Sequence, residues 1–266
     1  MSILVSCDKL YGGYGRDTII KDISFDIKKG EFVGIIGPNG SGKSTLLRLM
    51  TRVIPPKSGR VLFENRDIAL VDLKELFKKC AFVGQDTVYN FSFSTGEMVL
   101  MGRIPHLRRM QPETKKDIEI AKKALQLTDT YHLLNKCVDH LSAGERQRAI
   151  IAKALAQEPI LLYLDEPTAH LDISYQVQIM DLLRDLNKRS KLTIMIVLHD
   201  LNLAGEYCDR LMLLEKGRIV KDSNPEEVLT YENIESVYKT LVLVNKNPIS
   251  GKPYITLISK ETCLRK

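Results

Sequence analysis

The sequence predicts an α/β protein built on a parallel sheet, with an antiparallel β-rich section beside it and a helical section inserted into it. Three observations carry that prediction. Short apolar runs recur at Phe32 to Ile36, Cys80 to Val83, Ile160 to Leu164 and Leu192 to Leu198. Each suits a buried strand and falls far short of the roughly 20 residues a membrane helix requires. Helical periodicity separates the later runs, and strands alternating with helices imply a parallel sheet covered on both faces. Between the second and third runs the texture becomes helical over about 86–139.

From Ile3 to Phe63 the pattern is short and β-rich, with turn signals at Gly12-Gly13 and Gly15, at Lys29-Gly30, and at Pro55-Pro56 with Ser58-Gly59. A helix over Thr45 to Thr51 interrupts it. The run at Cys80 to Val83 ends at Gly84-Gln85, and Ser94 to Leu134 then reads as helices. Thr95, and Pro112 with Glu113, are their starts; Ile118, Ala121 and Leu125, or Ile120, Ala124 and Leu127, recur at helical spacing. Beyond Ser142 come a helix from Glu145 to Ala156, a strand at Ile160 to Leu164, a helix from Ile173 to Asn187 and a strand at Thr193 to Leu198. A hairpin spans Arg210 to Val220 and turns at Lys216-Gly217. The tail from Leu241 is weakly patterned, although Tyr254 to Ile258 alternates enough for a strand. The expected division is a main domain over 1–240, made of a core with its β section (1–85 and 140–240) and the inserted helical lobe (86–139), then an extension over 241–266.

Composition removes several classes. The net charge of +6 is spread among acidic residues, and Trp is absent. No aromatic and basic stretch resembles an RNA-binding sheet, so nucleic acid is not an expected partner. Cys7, Cys80, Cys137, Cys208 and Cys263 are scattered without CxxC spacing, which indicates reduced thiols and neither a disulfide framework nor a zinc site. The N-terminus shows no secretory pattern.

Gly37-Pro38-Asn39-Gly40-Ser41-Gly42-Lys43-Ser44 completes the pattern GxxxxGK[ST], set between an apolar run and a helix beginning near Thr45. Glycines there let several backbone N–H groups converge on one anion, and the helix adds its positive end. Lys43 is placed to reach the β- and γ-phosphates of a nucleoside triphosphate and Ser44 to hold Mg²⁺. Asp165 and Glu166 end a buried strand, the edge where open α/β sheets bind ligands. Asp165 suits Mg²⁺, and Glu166 suits polarisation of a water for attack on the γ-phosphate. His199 follows another buried strand, where a neutral imidazole can contact the γ-phosphate. Gln85 follows the Cys80 run, and its amide suits Mg²⁺ or the attacking water.

Leu141-Ser142-Ala143-Gly144-Glu145-Arg146-Gln147-Arg148 resembles the LSGGQ signature of ATP-binding-cassette ATPases, and it precedes Asp165 as that family requires. Tyr14 takes the place of the family's adenine-stacking aromatic, Gln85 that of the Q-loop, Ala169-His170-Leu171-Asp172 the D-loop and His199 the H-loop. The resemblance runs from Ile3 to Tyr238 and implies a P-loop NTPase fold of the RecA-like type. It also implies a composite site: Ser142, Ala143, Gly144, Glu145 and Asp172 of one subunit face ATP held by another, in a homodimer. Ala143 stands where the family has one of its paired glycines, and slowed or unaltered turnover is expected.

Val99 to His106 and His199 to Ala204 further resemble importer ATPases serving iron-siderophore, haem and cobalamin uptake. That implies two permease subunits docking on the helical lobe, with Phe91, Phe93, Met98 and Met101 as candidate groove or core residues, and a solute-binding protein beyond them. The chain is then expected on the cytoplasmic face of the membrane, held peripherally through its permease. The rival expectation is a soluble cassette ATPase acting on ribosomes or DNA, a class usually with two cassettes or a coiled-coil insertion. Neither is present here. A regulatory module that senses ATP without hydrolysing it is disfavoured by Gln85, Glu166 and His199.

Overall fold

The computed structural model describes residues 2–85 and 93–259. Phe91 and Cys263, named above, lie outside the described residues. The strands are β1 (Ile3–Gly12), β2 (Ile20–Lys28), β3 (Phe32–Ile36), β4 (Ser58–Phe63), β5 (Arg66–Asp67), β6 (Cys80–Val83), β7 (Leu161–Asp165), β8 (Thr193–Val197), β9 (Arg210–Glu215), β10 (Arg218–Ser223), β11 (Val242–Lys246) and β12 (Pro253–Leu257). The α-helices are α1 (Lys43–Met50), α2 (Leu73–Lys79), α3 (Thr95–Leu100), α4 (Lys115–Leu127), α5 (Ala143–Leu155), α6 (Ile173–Ser190), α7 (Leu201–Tyr207), α8 (Pro225–Val228) and α9 (Tyr231–Tyr238). Compactness divides the chain into two units, Met1–Ala69 with Met195–Lys266, and Leu70–Ile194.

In the first unit, β2-β1-β4-β5 form an antiparallel sheet. Alternation produces its buried face: Ile20, Ile23, Phe25 and Ile27 of β2 are buried, whereas Ser24, Asp26 and Lys28 are exposed. A separate pairing places β3 parallel to β9, with Val33 opposite Arg210, and β9 antiparallel to β10. β3 is buried at every position, as a strand covered on both faces must be. Leu198, just past β8, donates its N–H to Ile35 O at 3.1 Å, so His199 and Gly37 follow adjacent backbone segments. Arg210 staples the β9–β10 pair: it binds Asp222 at 2.5 and 2.6 Å and reaches Glu31 at 3.3 Å. These bonds, chiefly those to Asp222, raise the guanidinium pKa above the arginine range. The hairpin turn then backs the phosphate loop, because Gly217 donates its N–H to Ser41 O at 2.9 Å.

β11 and β12 form a second hairpin, with Val242 opposite Leu257. It is fastened to α7 by Asn202, which donates to Ile255 O at 3.2 Å and accepts from Ile255 N at 2.7 Å. The tail, whose packing the sequence left open, therefore lies on the helix that follows His199.

The second unit contains the parallel pair β6 and β7, with Cys80 opposite Leu161. Helix α2 was not expected, since Leu76 is its one buried residue; it starts because the Asp72 carboxylate accepts from the N–H groups of Lys74 and Glu75. Helix α4 begins at Lys115, later than Pro112 and Glu113, because Thr114 and Asp117 form a capping box. Its buried stripe combines the two expected ones: Ala121, Ala124 and Leu125 are buried, while Ile118 and Leu127 are exposed. Leu125, Val99 and Ile151 are fully buried and contribute about 1.5–3 kcal/mol each relative to exposure. Met98 is equally buried, so it belongs to the core and not to a docking groove; Phe93 and Met101 are half-buried. None of the described helices is long and apolar enough to cross a membrane.

Candidate nucleotide site

The chain leaves β3 at Gly37, where φ is 149° and a Cβ would stand 2.2 Å from Leu214 O. No side chain fits there. Gly42, at φ 105°, is the N-cap of α1; the helix has no side-chain cap and no acidic residue in its first turn. Its positive end is therefore left for an external anion. Lys43 is buried, and its Nζ donates to Gly37 O at 2.9 Å and Pro38 O at 3.1 Å. The ammonium is thus folded over the same loop that GxxxxGK[ST] assigns to phosphate. Ser41 Oγ is buried without a hydrogen-bond partner. A glycine cradle, a buried ammonium, an uncapped helix start and an orphaned hydroxyl together fit a polyphosphate.

Around that loop, Thr45 is buried, Ser44 is half-buried, and Asn39 and Gly40 are exposed. Tyr14 is exposed; its hydroxyl accepts from Arg48 Nη1 at 2.7 Å, and the guanidinium lies 6.0 Å from the ring centroid. His199 is exposed between β8 and α7, and Asp200 caps α7 by accepting from Asn202 N and Leu203 N. Tyr238 of α9, which sequence reasoning did not single out, has its hydroxyl buried without a hydrogen-bond partner, and burial pushes its pKa up to about 12.

The second unit carries the acidic pair. β7 is wholly buried and ends at Asp165, itself 2% exposed. Glu166 follows at φ 54°, a left-handed conformation that non-glycine residues rarely adopt and that re-aims the side chain. Gln85 Nε2 donates to Glu166 Oε2 at 2.8 Å, so the structure brings these two candidates together. The donor types of Ser44, Gln85 and Asp165 are hydroxyl, amide and carboxylate oxygens, the hard ligands that Mg²⁺ takes.

Ser142 caps α5. Its Oγ accepts from Glu145 N at 3.3 Å, and the Glu145 carboxylate accepts from Ser142 N at 2.8 Å. That last bond chiefly lowers the Glu145 pKa, with smaller help from the Ser142 hydroxyl and Lys136. Ala143 is exposed and Gly144 buried. Asp172 caps α6, its carboxylate accepting from Tyr175 N at 3.0 Å.

A phosphate loop, a capped signature helix and an acidic pair after a buried strand now stand in that order along one chain. The sequence profile described as ABC transporter matches residues 20–169, a span reaching from β2 past all three. FepC of Escherichia coli (strain K12), a ferric enterobactin transport ATP-binding protein, is 38% identical over 95% of this chain and 93% of its own length. The chain belongs to the ABC transporter family. Its fold is that of the ABC ATPases, a P-loop NTPase with an antiparallel β subdomain and a helical insertion, and it hydrolyses ATP for transport. A chain of an inward-facing ABC transporter described as metal-chelate type superimposes with TM-score 0.86 at 27% identity, covering 98% of this chain and 99% of that chain. The ATP-binding cassette MJ0796, a dimer in a post-hydrolysis state bound to ADP and Pi, gives TM-score 0.72 at 28% identity, covering 84% and 99%. ABC cassettes thus bind adenine nucleotide, dimerise and associate with membrane components in transporter complexes.

Proposed function

We propose that this ABC ATPase powers import of a metal chelate of the iron-siderophore, haem or cobalamin class, from the cytoplasmic face of the membrane. The observation carrying this reading is the near full-length identity with the ferric enterobactin ATPase, supported by the superposition on the metal-chelate type transporter. The working form is a homodimer joined to two permease subunits, which dock on the helical subdomain (86–139) and receive solute from a separate binding protein. The core (1–85 and 140–240) hydrolyses ATP, and the extension (241–266) follows it.

In this reading Tyr14 stacks on adenine, and Gly37 to Thr45 cradle the phosphates with Lys43 at the β- and γ-groups. Ser142, Ala143, Gly144, Glu145 and Asp172 of the second subunit complete the site. Two copies joined this way make an isologous dimer closed by two ATP molecules. Ser44, Asp165 and Gln85 would hold Mg²⁺, which when bound offsets charge on the phosphate oxygens. Glu166 takes the proton of the attacking water, His199 orients the γ-phosphate, and Gln85 holds Glu166 in line through their hydrogen bond. Hydrolysis removes the group that joins the two subunits, so the dimer opens and the permeases move.

Glu166→Gln tests the chemistry. Turnover is expected to fall at least ~100-fold with ATP affinity retained; normal turnover would remove Glu166 from the role of base. Purification of the tagged full chain from native detergent extracts tests the partner. Recovery of a membrane permease supports the reading, and recovery of ribosomes alone would overturn it.

A further inference from the structure

Gly144 is buried, and a Cβ built on it would lie 2.3 Å from Tyr175 Cδ1, 2.5 Å from its Cγ and 2.6 Å from its Cε1. Only a residue without a side chain lets the α5 backbone rest on that ring. Tyr175 lies in the first turn of α6, where its N–H is held by Asp172 at 3.0 Å. One turn along α5, Arg148 approaches the same ring, its guanidinium 5.6 Å from the centroid, and donates to Gln178 of α6 at 2.7 Å. Gly144 and Arg148 are four residues apart and share a helical face, so the ring is seated under the start of α5 by two contacts. The Asp172 bond ties the ring's own backbone to the D-loop. Ala143, by contrast, is exposed, so its methyl does not disturb this packing.

We propose that Tyr175 is a positioning residue for the signature segment. Its ring fixes where Ser142 and Gly144 stand relative to Asp172, and so fixes the half-site that one subunit presents to ATP held by the other. Gly144 is then needed for the ring beneath it, whatever close approach it also gives a phosphate. The proposal rests on the in-trans reading above, and the test separates the two.

Full-length chains carrying different tags would be assembled into two mixed dimers. In the first, Tyr175→Ala sits on one chain and Glu166→Gln on the other, so the surviving base faces an unaltered signature. In the second, both changes share a chain, and the surviving base of the wild-type partner faces the altered one. At saturating protein and ATP the first is expected to match a wild-type and Glu166→Gln dimer, and the second to turn over at least ~10-fold more slowly. Nucleotide affinity of each single chain stays within about 2-fold, and Tyr175→Phe, which keeps the ring, restores the second arrangement. Equal loss in both arrangements, or loss in neither, overturns the proposal. Ser142→Arg in the same two arrangements tests the underlying reading: if its effect is independent of arrangement, the in-trans site fails with it. Should Tyr175→Ala not fold, Tyr175→Leu, which keeps bulk but not the flat ring, gives the same comparison.

Discussion

Helices α1 and α5 both begin at motifs assigned to phosphate, yet their first turns are built in opposite ways. α1 starts on a left-handed glycine with no side-chain cap and no acidic residue near its end, and the ammonium of Lys43 is buried beside it. α5 starts with a complete capping box, so Ser142 and Glu145 already satisfy each other and a carboxylate occupies the positive end. One N-terminus carries no side-chain cap and no carboxylate, so its positive end is open to an anion; the other is capped by its own chain. The difference teaches how a two-subunit site is made reversible. In the proposed reading a single chain holds nucleotide through α1, whereas α5 adds only the margin by which an incoming phosphate outweighs its own cap.

That contrast is most strongly challenged at Lys43. Lys43→Ala removes the buried charge and is expected to weaken ATP binding about 100-fold or more, read by calorimetry on the single chain. Unchanged affinity would mean that α1 is not the primary anchor. Ser142→Arg acts on the other side. It should lower steady-state hydrolysis by roughly 30-fold while single-chain affinity moves less than about 2-fold. Loss of single-chain binding would contradict the division of labour.

The same contrast explains what the sequence made legible. The phosphate loop, Asp165 and Glu166 could be read because their chemistry needs fixed residue types at fixed spacing, with an apolar strand in front as a marker. β6, β7 and the β9–β10 hairpin followed from short apolar runs and the Lys216-Gly217 turn. Tyr175 was invisible because its role depends on a ring meeting a backbone thirty-one positions away, and nothing local to Ile173-Ser174-Tyr175 announces it. α2 was missed because its start is set by a cap and not by apolar periodicity. Met98 was left between two readings: a flexible apolar side chain in a helical lobe fits a groove as readily as a core, and only burial decides for the core. The tail was half legible, since its alternation gave a strand but not the Asn202 contact that seats it.

The smallest expected effect is the most direct test of the contrast. Glu145→Gln keeps a side chain able to complete the capping box but deletes the charge at the α5 terminus. If that carboxylate opposes an incoming phosphate, ATP-dependent dimerisation should strengthen about 2- to 3-fold, while the chain alone loses about 0.5 kcal/mol of stability. Lys136, 3.4 Å from the carboxylate, already offsets part of its charge, which is why the gain is small. The pH dependence fixes the sign. The folded-state pKa of Glu145 is lowered from the ordinary 4.5, so its contribution is complete above that value and is lost as pH falls through the lowered folded pKa. Denaturation of wild type and variant from pH 7 to 3 should therefore show a stability gap that is constant at neutral pH and closes under acid. A gap that stays unchanged once Glu145 has been protonated in the folded state would assign it to hydrogen-bond geometry alone, and the electrostatic half of the contrast would fall.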